Sequence, residues 1–390
     1  MVLTKYKVDG AHRACTPEDT LARMRPHFHA AGITRLGEIT GLDRIGIPVA
    51  QCIRPAALVL AVDSGKGATP AAARCSAMME GFERHVGESA PIRALWDTIQ
   101  NLGDACETRL PLLKGAALRP GVPVEWTEAR HLQTGNPVLV PACTVRLIAR
   151  QPADLPWHMA PFAFTSNGLS SGNTYAEAVC GGLYEVIERD ATYIAQERLA
   201  TLRRVDLDSI TDATVSRIIQ TLRAADITPV LLDATSDIGV PTYICYLLDI
   251  ESGQGMHRGY AAHLDPAVAM SRAVTETVQA RAVWIAGSRD DLTHERYTTV
   301  KSLDTAAALT AFYRHATISA NAHADVSSDT FEQDIDTLCA LLQAAGIPEP
   351  LVYEFTHDYP CSVVRVLIPT LEGYRYPFSQ PGTRALLAAK

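Results

Sequence analysis

No two of the nine cysteines form a C-x-x-C pair; they stand apart at Cys15, Cys52, Cys75, Cys106, Cys143, Cys180, Cys245, Cys339 and Cys361. A structural zinc site usually draws ligands paired at short spacing, so this scatter argues against one. The odd count also argues against a complete disulfide framework, and buried thiols are the default reading. Long apolar runs are missing as well. None approaches the roughly 20 residues of a membrane span, and residues 1–10 lack the apolar stretch of a secretion signal. Positive charge is in deficit: 35 Lys and Arg against 43 Asp and Glu leave a formal net charge of −8. That balance argues against nucleic acid as the principal partner. Together these absences point to a cytoplasmic protein with neither a membrane nor a nucleic acid as its partner.

What is present describes an ordinary globular chain. Its 390 residues can bury a large core and hold two or three subdomains, and 47% hydrophobic with 20% charged residues is a typical globular composition. Thr16-Pro17 caps a helix expected to reach about Ala31, and Thr69-Pro70 repeats that signal for a helix to about Glu88. Strands are expected at 49–54 and 57–62, followed by a tight turn at Gly65-Lys66-Gly67. Helix and loop are expected over 90–118 and a strand-like run over 137–149. Further on come strands at 229–233 and 241–249, a helix from Asp265-Pro266 to about Ala286, a helix at 331–345 and a strand at 361–369. No linker or low-complexity tract divides the chain, and the mixture reads as α/β or α+β.

Residues 165–198 are the chemically richest stretch. A Gly/Ser/Asn loop gives way to a long helical pattern that Thr174-Tyr-Ala-Glu177 opens as a capping box. At about 100° per residue, Glu177 and Glu188 project within roughly 20° of each other, and Glu185 lies about 80° from the first. Val179, Leu183, Val186 and Ile194 take much of the remaining circumference. Such a face is either solvated in water or, if buried, in need of cations.

The helix after Thr69 repeats this chemistry. Ser76, Glu80 and Glu83 share a face with Arg84 at its edge, and Glu80-Gly-Phe-Glu83-Arg84 matches Glu185-Val-Ile-Glu188-Arg189 as E-x-x-E-R. Hard oxygen ligands on facing helices suit magnesium, and magnesium usually serves a phosphate. Lys66 stands between two glycines, where backbone and ammonium could approach a phosphate or simply be solvated. No G-x-x-x-x-G-K-[ST] loop occurs, so this is not a Walker site. On the third helix Arg272, Glu276 and Gln279 fall within about 60° of one another, ion pairing within the helix being the plain account of the first two. Gly168-Leu-Ser170-Ser-Gly172 also matches the G-x-S-x-G nucleophile elbow, with Asp291 and His357 following in hydrolase order. Against that elbow, 161–167 makes a poor buried strand and three glutamates would go unexplained.

These residues carry a family resemblance. Gly65-Lys66-Gly67, Ser76-x-x-x-Glu80-x-x-Glu83-Arg84, Ser166-Asn167-Gly168 through Glu188-Arg189-Asp190, and Glu276-x-x-Gln279-x-Arg281 together resemble the YcaO family, in family order from about Gly32 onward. The resemblance implies a YcaO-type ATP-binding fold, an α/β (α+β) arrangement whose mixed sheet is flanked by acidic helices. It divides the chain into an N-terminal region, 1–56, and an ATP-dependent catalytic domain, 57–390. It further implies Mg2+ and ATP as cofactors, with Glu80, Glu83, Glu177, Glu185 and Glu188 binding magnesium or positioning phosphates. Lys66, Ser76, Arg84, Asn173, Gln279 and Arg281 would contact the nucleotide, joined there by Glu80, Glu177 and Glu188. The capping box remains the alternative for Glu177, and no catalytic base is assigned.

YcaO enzymes activate a peptide-backbone amide. A nucleophile adds to the carbonyl carbon, the oxygen accepts phosphate from ATP, and phosphate then leaves. The nucleophile sets the product: a Cys, Ser or Thr side chain gives an azoline, an amino terminus an amidine, and sulfide a thioamide. Azoline-forming members typically end in P-x-P-x-P, which the stretch from Tyr374 to Lys390 lacks. The stretch 32–55 and Gly287-Ser-Arg-Asp-Asp291 resemble the thioamide-forming branch that works with a TfuA-type partner. The resemblance therefore implies thioamidation of a ribosomal peptide or protein, with a TfuA-like protein delivering sulfur. No fused leader-binding domain is evident, and a homodimer is one of the oligomeric states left open.

Overall fold

The computed structural model describes residues 3–8, 10–147, 161–249, 255–292, 294–295, 297, 305–373 and 380–389. In chain order it begins with β1 (Tyr6–Val8), β2 (Ala11–Arg13), α1 (Pro17–Met24), β3 (Arg35–Glu38), β4 (Val49–Ile53), β5 (Val62–Lys66) and α2 (Pro70–Ser89). The next stretch forms β6 (Ala94–Thr98), α3 (Ile99–Leu102), β7 (Pro123–His131), β8 (Pro137–Pro141), α4 (Ala142–Val145), β9 (Leu169–Gly172) and α5 (Tyr175–Glu197). After these come β10 (Arg203–Asp206), α6 (Ala213–Ala224), β11 (Thr228–Asp233), β12 (Thr242–Asp249), β13 (Gly255–Ala262), α7 (Pro266–Ala286), α8 (Thr305–Phe312) and β14 (Thr317–Ser319). The chain closes with α9 (Phe331–Ala344), β15 (Leu351–Glu354), β16 (Ser362–Leu367) and α10 (Thr383–Ala388).

Two compact units result: Met1–Phe82 with Arg198–Thr330, and Glu83–Glu197 with Phe331–Lys390. In the first, five strands lie in the order β13-β12-β11-β10-β14, antiparallel except for the β10/β14 pair. The smaller antiparallel sheets β3-β4-β5 and β1-β2 complete its strands. Every residue of β12 is buried, as a central strand covered on both faces must be. Helix α7 starts where the sequence signals it. Asp265 accepts from Ala267 N at 2.8 Å, Pro266 occupies the first turn, and Gly287 closes the helix in the left-handed conformation at φ 60°. It packs on β12, β13 and β5, so tightly that a Cβ on Gly259 would meet Thr277 N at 2.5 Å. Val205, Val215, Leu231, Tyr243, Val274 and Val278 fill the core.

The second unit is an antiparallel sheet in the order β6-β7-β15-β16-β9, with β8 also pairing β7. Helix α5 packs on β9 and β16, and α9 and α10 lie against α5. Val86, Leu169, Val363 and Phe355 belong to its core. The mixed α+β architecture expected from the sequence is thus present.

Local expectations fare unevenly. The helix expected to reach Ala31 ends at Met24 and continues as a 3-10 turn, Arg25–His27, because Pro26 supplies no backbone N–H. The strand expected at 57–62 is loop up to 61, and β5 begins only at Val62 and takes in Gly65-Lys66 where a turn was expected. Residues 90–118 contain the strand β6 as well as helix and loop. The G-L-S-S-G segment expected as loop is largely the strand β9. Positions 148–149 of the run 137–149, and 374–379 with 390 of the C-terminal stretch, lie outside the described residues.

Candidate functional site

In the first unit, β5 delivers Lys66 beside α7, and Lys66 Nζ donates to Glu276 Oε2 at 2.6 Å. The glycines around it serve close approach. A Cβ on Gly65 would fall on the backbone of Ala73 and Ala77, and one on Gly67 would meet Ala72 Cβ at 2.5 Å and Ala73 N at 2.8 Å. Strand β5 can therefore lie against the α2 backbone only if these residues lack side chains. Ser76 and Glu80 sit half-buried on α2, which Thr69 caps by accepting from Ala72 N at 3.2 Å. Gln279 is half-buried on α7, and its buried Oε1 meets no hydrogen-bond donor among the described residues. Ser64 Oγ on β5 is in the same condition. Arg281 leaves α7 in another direction. It is 3% exposed, donates to Asp43 at 2.9 and 3.2 Å and pairs with Asp249 at 3.0 Å, so two buried carboxylates engage it.

In the second unit, Glu83 Oε2 accepts from both Ser171 N (2.9 Å) and Ser171 Oγ (3.1 Å), which fixes the carboxylate against β9. Arg84 follows it half-buried on α2. Glu177, 4% exposed, accepts from Asn173 N at 2.8 Å and Asn173 Nδ2 at 3.0 Å, while Glu177 N donates to Thr174 Oγ1 at 3.1 Å. The capping box is thus half realised. Thr174 caps the third helical N–H, but the glutamate reaches back to Asn173 rather than to Thr174. Farther along α5, Arg189 lies 3.0 Å from Glu188 and 3.8 Å from Glu185. The structure therefore brings together Asn173 with Glu177, and Glu185 with Glu188 through Arg189.

The carboxylates of each unit are the hard oxygen donors that magnesium takes, and within the first unit the buried Gln279 Oε1 and Ser64 Oγ meet no hydrogen-bond partner among the described residues. Among the described residues no three His, Cys, Asp or Glu side chains converge as a ready metal cage. That fits a magnesium ion held by one or two carboxylates, its own waters and a nucleotide's phosphates, which is how Mg2+ is usually bound.

Other candidates recede. Ser170 lies within β9, 9% exposed, with its Oγ where a Cβ on Gly181 would be 2.6 Å away, so it is a packed strand residue rather than an elbow nucleophile. No disulfide joins the nine cysteines among the described residues, and burial pushes the Cys52, Cys143 and Cys245 thiols up to about 12, which keeps those three inert. Sequence reasoning missed the Lys66–Glu276 pair, the buried Arg54–Asp63 pair at 2.9 Å, and Arg365. The available signal for the last was a lone charge interrupting the apolar run Val363-Val-Arg365-Val-Leu367.

The geometry can be set beside known proteins. The family model for YcaO cyclodehydratase, ATP- and Mg2+-binding, matches residues 64–372. An uncharacterized protein in the tfuA 3′ region of Rhizobium leguminosarum bv. trifolii is 35% identical over 383 residues, covering 92% of this chain and 88% of that one. Among solved structures, YcaO from Methanopyrus kandleri bound with AMPPCP and Mg2+ superposes with a TM-score of 0.71 at 24% identity, over 94% of each chain. A heterocyclase in complex with substrate and cofactor superposes with a TM-score of 0.81 at 24% identity, over 96% of this chain. The chain spans 54% of that heterocyclase's length.

Proposed function

The chain belongs to the YcaO family, an ATP- and Mg2+-binding family, and from that premise we propose that it activates a backbone amide to form a thioamide on a ribosomal peptide or protein. One observation carries the finer reading: the relative in the tfuA 3′ region, similar along nearly the whole chain. It supports a TfuA-like partner that delivers sulfur, and sulfide equivalents are what distinguish a thioamide from the other products. The catalytic region in this reading is 57–390, with 1–56 as an N-terminal region.

Mg-ATP supplies, when bound, the phosphoryl group that turns an amide oxygen into a leaving group. The chain's own part is positioning and charge. Glu80, Glu83, Glu177, Glu185 and Glu188 act as magnesium ligands or hold its waters, and Ser171 keeps the Glu83 carboxylate in one orientation. Lys66, which donates to Glu276 at 2.6 Å, would offer its ammonium to a phosphate oxygen of the nucleotide. Ser76, Arg84, Asn173 and Gln279 contact the nucleotide, Gln279 through the amide that lacks a protein donor. Arg281 is included among the nucleotide residues by its motif, while its bonds to Asp43 and Asp249 give it a structural task as well.

The family description as a cyclodehydratase favours azoline or amidine formation as the second reading. Incubation of a candidate peptide with ATP, Mg2+ and sulfide separates the two. Exchange of oxygen for sulfur adds about 16 Da to the peptide and cyclodehydration removes about 18 Da, as the two bond changes require. Neither shift, with no substrate-dependent phosphate release, would leave an ATP-binding scaffold. Glu80→Gln and Glu188→Gln should each lower turnover by about a hundredfold or more while the protein stays folded. Full activity in both would sink the magnesium assignment.

A further inference from the structure

Arg281 leaves α7 on the side opposite Glu276 and Gln279. At about 100° per residue it projects about 140° from the first and about 160° from the second. Its buried guanidinium lies between two carboxylates. Nε and Nη2 donate to Asp43 Oδ2 and Oδ1 at 2.9 and 3.2 Å, and Nη2 lies 3.0 Å from Asp249 Oδ2. Arg44 supplies the second positive charge. Its Nη2 donates to Asp249 Oδ1 at 3.2 Å, its Nε to Ala225 O at 3.0 Å, and its backbone N–H to Asp43 Oδ1 at 2.8 Å. Two arginines thus face two aspartates. Adhesion does not require them, since Ile45, Ile47 and Val49 already share one apolar core with Val274, Val278 and Ala282. Burying charged groups is costly, and well-packed apolar side chains often hold as firmly. What such a network can add is one fixed geometry.

The contacts around Asp43 lead back to Lys66. Asp43 closes the 3-10 turn Thr40–Leu42. Thr40 Oγ1 accepts from Val49 N at 3.0 Å and donates to Val49 O at 3.2 Å, which pins that turn to the first residue of β4. In the β4/β5 register Val49 stands opposite Lys66. Lys66 in turn donates to Glu276, 2.6 Å away, on the other side of α7. Helix α7 is therefore tied to the Lys66 strand at two points. One tie is direct, through Glu276, and the other runs behind the helix through Arg281, Asp43, Thr40 and Val49. A nucleotide treats the two differently. A phosphate that draws the Lys66 ammonium weakens the first tie, whereas the second is buried behind α7 and keeps the helix from shifting as the first opens.

We propose that Arg281 serves the nucleotide site without touching the nucleotide, as a positioning residue that with Asp43 holds α7 at a fixed distance and rotation from Lys66. Gln279 and Glu276 then keep their places on the ligand side of the helix. The 40–46 turn thereby takes part in the ATP site, although it belongs to the N-terminal region, 1–56. The assignment departs from the motif, which counts Arg281 among the nucleotide contacts. It rests on the reading of Lys66 and Gln279 as residues that do touch the nucleotide.

Calorimetric titration of the full chain with AMPPCP and Mg2+ tests it, alongside hydrogen exchange of the α7 amides without ligand. Arg281→Lys keeps a charge but loses the two-pronged fork, and Asp43→Asn keeps the shape but loses the charge. Each should weaken AMPPCP binding about tenfold and speed exchange in α7, and the double variant should bind no worse than the poorer single one. Asp43→Asn is the decisive variant, because the Asp43 carboxylate is taken up by Arg281 and the Arg44 N–H. Wild-type affinity in Asp43→Asn, with a loss in Arg281→Lys alone, would make Arg281 a direct nucleotide ligand and overturn the proposal. Lower urea midpoints with unchanged affinity in both variants would reduce the network to a stability device and overturn it equally. If Arg281→Lys fails to fold, Asp43→Asn decides alone, a comparable loss supporting the role and full affinity overturning it. Absence of AMPPCP binding in the unsubstituted chain, with and without a TfuA-like partner, is a different failure. It takes away the nucleotide reading and the role that rests on it.

Discussion

Two residues in left-handed backbone show how differently a side chain can be tolerated there. Gly287 at φ 60° ends α7 and needs no Cβ. Thr370, just past β16, has φ 74° and is β-branched, although its N–H still donates to Arg109 O at 2.8 Å. The left-handed region costs an L-residue roughly 1–2 kcal/mol, and a β-branched one sits at the upper end. Glycine removes that cost but loses about 0.5–1 kcal/mol through the more flexible unfolded chain. Thr370→Gly should therefore stabilise the protein by about 1 kcal/mol, seen as a higher urea midpoint at unchanged slope. A lower midpoint would show that the Thr370 side chain has a compensating contact. The position is exposed, which makes the gain the expected sign. A glycine's reason is also what the sequence conceals at Gly65. A turn and a strand pressed against a helix both call for glycine, and only the α2 backbone beside it decides between them.

At the scale of elements, legibility follows how local the cause is. Helices α5 and α7 could be read because their caps, Thr174 and Asp265, and their apolar spacing act within the segment itself. Strand β5 could not. Its sequence Val62-Asp-Ser-Gly-Lys66 shows no apolar alternation because Asp63 is neutralised by Arg54 from the preceding loop, while the more apolar stretch before it is loop. Strand β9 reads as loop because it is built of small residues, and α5 requires them: a Cβ on Gly172 would meet Ala178 N at 2.5 Å. The acidic residues of the candidate site were legible as a helical pattern, whereas Ser171, which holds Glu83, comes from a strand 88 positions further along the sequence. The same long reach governs α10. Its Arg384 forms a two-pronged pair with Asp190 on α5, at 2.8 to 3.1 Å, and Asp190 is fully buried. The Glu372 carboxylate accepts from Gly382 N and Ala385 N at 2.8 Å each and so fixes the start of the helix. A six-residue helix with Leu386 and Leu387 exposed cannot hold itself in place. Arg384→Met removes the two-pronged cationic partner of the buried Asp190, and should cost about 3–5 kcal/mol in denaturant unfolding. Adding Asp190→Asn should recover much of that loss. A cost under about 1 kcal/mol would mean that water reaches Asp190 when Arg384 is removed.

For the molecule as a whole, membership of an ATP- and Mg2+-binding family makes ligand linkage the broadest test. No helix among the described residues is long and apolar enough to cross a membrane, and thermal unfolding is the readout. A ligand that binds only the folded chain stabilises it by about 2.7 kcal/mol at a hundred times its Kd. The carboxylates on α2 and on α5 would repel the phosphates of a nucleotide that arrived without its metal. Stabilisation should accordingly be cooperative. AMPPCP with Mg2+ should raise the unfolding temperature clearly, either component alone should raise it little, and excess EDTA should cancel the shift. In Glu80→Gln and Glu188→Gln the shift should shrink if those carboxylates take up the metal. A full shift with AMPPCP and EDTA together would mean that the nucleotide is held without magnesium, and the acidic helices would then need another purpose. No shift at millimolar AMPPCP with Mg2+ would place nucleotide binding under the control of a partner or substrate, and the same melt repeated with a TfuA-like protein would then reveal it.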